Sequence, residues 1–123
     1  MNSTSKSQNI SVVGGVVILL TLVTAAIHFY LVPDEFSKGA TGYGTAFILT
    51  GAGYLLAMAL AFVPRSPFHV PGGLAIAGIA TAAIVAYLSL GYFDTLGWVT
   101  KGIELALIVA VAVHLIQKRH LAA

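Results

Sequence analysis

Residues 11–32, 45–63, 72–93 and 98–117 form four apolar stretches separated by short connections, and this pattern leaves the chain few folds to choose from. A hydrocarbon core about 30 Å thick is crossed by roughly 20 helical residues rising 1.5 Å each, and every stretch meets that length. Inside a bilayer no water satisfies backbone N–H and C=O groups, so spans of this kind must be helices. Hydrophobic residues make up 59% of the chain and charged ones 8%, whereas soluble domains carry about 25% charged residues. Four spans and three connections use nearly all of the 123 residues, which leaves any chemistry to helix side chains and loops. The expected organisation is a polar tail at 1–10, one transmembrane domain at 11–117 and a basic tail at 118–123.

Lys6, Arg65, Lys118 and Arg119 stand at places that share a side in any four-pass topology. Short loops rich in Lys and Arg stay in the cytoplasm, which predicts both termini inside a cell membrane. Asp34, Glu35 and Lys38 of the first connection and Asp94 of the third then lie outside. Lys101 and Glu104 fall in the outer turns of helix 4, so all four acidic residues gather toward one leaflet. The net charge of +2 averages over two unlike faces, and nucleic acid is not an expected partner. The apolar run after Lys6 is too long for a secretory signal and continues through Ile27, His28, Phe29 and Tyr30, so it is read as a retained span.

Pro33, Pro64, Pro67 and Pro71 fall at or beyond the expected helix ends. The first connection, 33–44, is expected to be the longest. Short turns at 64–71 and 94–97 make consecutive helices antiparallel neighbours, which gives an all-α, up-down-up-down four-helix bundle. Tyr30, Tyr43, Phe47, Tyr92, Phe93 and Trp98 suit an aromatic belt at the outer interface.

Helices in lipid associate through small and hydroxylated residues, so those positions mark contact faces. The expected inner stripes are Gly14, Thr21, Thr24, Ala25 and His28 in helix 1, and Phe47, Gly51, Tyr54, Met58 and Ala61 in helix 2. In helix 3 the stripe is Gly73, Ala77, Thr81 and Ile84, continuing to Tyr87 and Leu88. Helix 4 presents a conflict. Its small stripe is Gly102, Ala106 and Ala110, and Glu104 points roughly 160° away from Gly102 at 100° per residue. Either the small-residue spacing is chance in an alanine-rich helix, or both faces are occupied, one within the bundle and one against another subunit.

His28, Tyr87, Lys101 and Glu104 sit at similar depth near the outer ends of their helices and, with Asp94 of the outer turn, form the candidate ion- or ligand-binding cluster. Ionisable groups within a membrane pair, line a wet cavity or bind an ion. Lys101 and Glu104, three residues apart, can simply pair with each other. His28 and Glu104 are the candidate metal ligands, since imidazole and carboxylate suit a divalent ion. A bis-histidine haem between His28 and His114 is excluded, because the two lie near opposite ends of the bilayer; a haem held by one histidine remains compatible. The sequence requires no cofactor. His114 is assigned with Arg65, His69, Lys118 and Arg119 to a cytoplasmic basic cap that would suit anionic head groups. No serine has an evident histidine and acid beside it, and the lack of cysteine excludes thiolate sites.

The strings His28-Phe29-Tyr30-Leu31, Thr41-Gly42-Tyr43-Gly44 and Gly97-Trp98-Val99-Thr100-Lys101 resemble small uncharacterised four-helix membrane proteins of archaea and related prokaryotes. The resemblance implies the fold and a prokaryotic membrane, and no activity. The leading expectation is a non-catalytic accessory or stabilising subunit of a larger membrane complex, of a redox or metal-dependent kind. A proton- or metal-ion-binding transport module is the second, and a haem-bearing electron carrier the third.

Overall fold

The computed structural model describes residues 11–91 and 93–122, excepting the side chains of 120–122. The expected polar tail with Lys6, and Tyr92 of the aromatic belt, lie outside the described residues. Four helices account for nearly everything else: α1 (Val12–Ser37), α2 (Thr41–Phe62), α3 (His69–Leu90) and α4 (Thr95–Ala122). Each is long and apolar enough to cross a membrane, which is the build of a multi-pass membrane protein. They form a ring in which α1 touches α2, α2 touches α3, α3 touches α4, and α4 returns to α1.

The helices run further than the hydropathy limits. The Ser11 hydroxyl caps α1 by accepting the Gly14 N–H at 3.0 Å, and the helix continues through Pro33 to Ser37. A proline removes one intrahelical donor, a modest loss so close to a helix end. The last turn is closed by other means: the Ser37 hydroxyl and the Lys38 N–H both donate to the Asp34 carbonyl, at 2.8 and 3.2 Å. The first connection therefore shrinks to residues 38–40, and the longest turn among the described residues is 63–68. There the Ser66 hydroxyl donates to the Leu60 carbonyl at 2.6 Å and accepts the Phe68 N–H at 3.1 Å. Gly91, left-handed at φ 74°, ends α3 with its N–H on the Tyr87 carbonyl at 3.3 Å.

The inner face of α1 is the expected one, with Gly14, Thr21, Thr24, Ala25 and His28 buried together with Val17. Helix α2 also follows expectation at Gly51, Tyr54 and Ala61; Phe47 and Met58 are half-buried. Helix α3 is turned by about one residue, so Gly72, Gly73, Ile76 and Ala80 face in while Thr81 and Leu88 are exposed. The reason is the α2 seam. A Cβ placed on Gly72 would lie 2.6 Å from the Ala61 backbone nitrogen and 2.9 Å from the Ala57 carbonyl oxygen, so this glycine is what lets the two backbones touch. Large apolar side chains such as Leu19, Leu49, Leu74 and Val109 cover the outside, where lipid rather than water is their natural solvent.

Gly72→Ala is expected to destabilise the bundle by about 1–3 kcal/mol, the usual cost of overpacking where backbone cannot give way. Gly78→Ala, whose Cβ would meet nothing within 4 Å, is the control and should leave stability unchanged or slightly raised. Thermal unfolding of the two variants in detergent measures the difference.

Candidate functional site

Helix α4 resolves its conflict by turning Thr100, Glu104, Leu107, Val111 and His114 into the bundle. These positions recur every three or four residues, as one helical face requires. Gly102 and Ala106 are left on the outside, with nothing within 4 Å of a Cβ at Gly102.

The Glu104 side chain is 0% exposed and forms a salt bridge with Lys101, 12% exposed and one turn earlier. Its other carboxylate oxygen accepts a hydrogen bond from the Tyr54 hydroxyl of α2. Since α2 and α4 are not neighbours in the ring, this bond crosses the middle of the bundle. Tyr54 is itself fully buried, and a buried phenol needs a polar partner just as the carboxylate needs donors. The Lys101 ammonium also stands 5.6 Å from the centre of the Tyr87 ring, within cation–π range. The charges of the ion pair thus cancel inside the protein, and both carboxylate oxygens are satisfied.

His28 approaches this cluster from α1 without bonding to Glu104. Its Nδ1 lies 2.7 Å from the Thr24 carbonyl, which can only accept, so Nδ1 carries the proton. The imidazole packs against Phe47 and Tyr54 at centroid distances of 5.7 and 5.9 Å. Tyr54 thus touches both the imidazole, by ring packing, and the Glu104 carboxylate, by its hydroxyl. Nearby, the buried Thr24 hydroxyl has no hydrogen-bond partner among the described residues.

Tyr87 and Asp94 have structural partners of their own. The Tyr87 hydroxyl accepts the Asp94 N–H at 3.0 Å and donates to the Asp94 carbonyl at 3.2 Å. Asp94 Oδ1 accepts the Gly97 N–H at 2.7 Å, the geometry of a side chain capping the start of α4. Asp94 is exposed and belongs to the turn rather than to the buried cluster. Lys38 pairs with Asp34 at 2.8 Å and Glu35 at 3.8 Å. The Asp34 hydrogen bond and charge, then Glu35, hold its ammonium above the usual lysine range.

At the other end, Arg65, Lys118 and Arg119 are exposed, as expected of a basic cap. His114 is not part of it. The structure buries His114 against Phe62 and His69, at centroid distances of 5.2 and 5.1 Å. His28 and His114 accordingly occupy separate clusters. Among the described residues no group of three or more His, Asp or Glu is arranged around a common metal position. Comparison of the chain with protein-family models, curated proteins and solved structures finds no match.

Tyr54 is the member of this cluster that sequence reasoning placed on a contact stripe and not in the site. The signal was available: a phenol in the middle of a span needs a partner, and the carboxylate of Glu104 was the acid nearest the hydrocarbon.

Glu104→Ala strands the Lys101 charge and is expected to cost about 3–5 kcal/mol, as breaking a buried pair does. Tyr54→Phe removes one charge-assisted bond, for about 1.5–3 kcal/mol. The double variant Lys101→Met, Glu104→Leu should recover much of the loss, because two apolar side chains replace two desolvated charges. Melting of all three in one detergent checks the order.

Proposed function

We propose that this protein is a non-catalytic accessory or stabilising subunit of a larger membrane complex in a prokaryotic cell membrane, of a redox or metal-dependent kind. In this reading the helices run up-down-up-down and both termini lie on the cytoplasmic side, in keeping with Arg65, Lys118 and Arg119 at one end and Asp34, Glu35 and Asp94 at the other. The carrying observation is the outward face of α4. Gly102, Ala106 and Ala110 line a shallow apolar groove with Val13 and Val16 of α1, and small residues at such spacing let a further helix approach closely in lipid. Lys101 and Glu104 of α4 are meanwhile paired with each other away from this groove, which leaves it apolar and free for packing.

A second reading, supported by the unpartnered Thr24 hydroxyl beside His28 and Tyr54, is a small proton- or metal-ion-binding module. Here Glu104 and Lys101 exchange their mutual pairing for an ion or proton arriving near Tyr87 and Asp94.

Purification from native membranes in mild detergent is expected to retain a second membrane chain or a second copy, and Ala106→Phe should release it while the variant stays folded. Recovery of a lone monomer from the unsubstituted protein would count against the subunit reading. For the ion-binding module the readout is Zn²⁺ titration of His28→Ala and Glu104→Ala, where binding equal to that of the parent protein removes the idea.

A further inference from the structure

The basic end of the bundle is one patch and not three separate charges. Arg65 lies in the turn between α2 and α3, shortly before His69 opens α3. His69 meets His114 of α4 at a centroid distance of 5.1 Å, and Lys118 stands one turn beyond His114 on the same side of that helix, with Arg119 next to it. The contact between the imidazoles therefore brings the turn and the end of α4 together. Arg65, Lys118 and Arg119 are exposed, and the ion pairs among the described residues are those of Lys38 and Lys101 alone. No aspartate or glutamate serves this end. Asp34 and Glu35 precede α2, Asp94 follows α3, and Glu104 stands fourteen residues before Lys118, about 21 Å of helix.

Arg65 occupies an unusual backbone position. Its φ of 62° makes it the one non-glycine residue in the left-handed region among the described residues, a conformation that glycine adopts freely and a residue with a Cβ does not. The turn is fixed by the Ser66 hydroxyl, which donates to the Leu60 carbonyl and accepts the Phe68 N–H. A braced turn thus presents a guanidinium where glycine would fit with less strain. Beside the three cations the surface becomes apolar: Val63, Phe68, Val70 and Ile116 are each more than half exposed. A free anion gains nothing from such side chains, whereas a molecule with a charged head and hydrocarbon tails engages both surfaces.

We propose that Arg65, Lys118 and Arg119 bind the phosphate of an anionic glycerophospholipid whose acyl chains lie along Phe68, Val70 and Ile116. Arginine matches phosphate oxygens with paired N–H donors, and lysine adds a point charge. The site is at the other end of α4 from the Glu104 cluster and does not rest on the subunit reading.

The full chain in detergent is titrated with phosphatidylglycerol and, separately, with phosphatidylcholine, and bound lipid is counted by native mass spectrometry. Phosphatidylglycerol is expected to bind more tightly, with affinity reduced about fivefold in each of Arg65→Gly, Lys118→Gln and Arg119→Gln. Glycine suits the left-handed backbone, so Arg65→Gly removes the guanidinium and keeps the turn. Lys38→Gln, which removes a like charge from the turn between α1 and α2, should leave phosphatidylglycerol binding unchanged. Equal affinity for the two lipids, binding indifferent to all three substitutions, an equal loss in Lys38→Gln, or displacement of the lipid by an equal concentration of inorganic phosphate would each overturn the assignment.

Discussion

A single carboxylate in the middle of an apolar bundle governs how the fourth helix sits. Glu104 cannot face lipid, where neither water nor a counter-charge would offset its desolvation, and it cannot be buried without donors. Lys101 supplies a charge from the same helix and Tyr54 a hydroxyl from the far side of the ring. Once these are met, the rotation of α4 is fixed. Leu107, Val111 and His114 follow Glu104 inward, and Gly102 and Ala106 are turned out.

The membrane-spanning architecture was readable because hydropathy and length act residue by residue, without reference to neighbours. The α1 face was readable too: glycine, threonine and histidine are rare enough in a span for their spacing to mark one side. Helix α3 offered no such contrast. Its alanines and glycines are spread round the axis, and the face that prevails is chosen by Gly72 meeting Ala57 and Ala61, a contact between two chains of atoms that neither segment encodes alone. In α4 the small residues and the acid gave opposite answers, and the larger energy, that of the charge, decided. The first connection was overestimated because proline was read as a stop, whereas polar side chains and backbone close α1 one turn later.

The candidate cluster was legible in part. Lys101 and Glu104 could be paired from their spacing, while His28 meets their partner Tyr54 through ring packing. Tyr87 and Asp94 share the same end but serve the turn into α4, which spacing along single helices does not reveal. The two polar regions differ in kind: one joins carboxylate, ammonium and phenol, while the other gathers only imidazoles beside an aromatic ring. The bundle thus separates groups that carry fixed charge from groups that offer lone pairs.

The backbone contact at Gly72 joins two helices linked by one short turn, so the seam between α2 and α3 closes over a brief length of polypeptide. Synthesis proceeds from the N-terminus, and this hairpin, with α1 beside it, is complete before α4 leaves the ribosome. The segment that carries the phenol is thus made before the segment that carries Glu104. The order of the chain thus places the costliest residue after both of its partners, Tyr54 and Lys101, in the sequence.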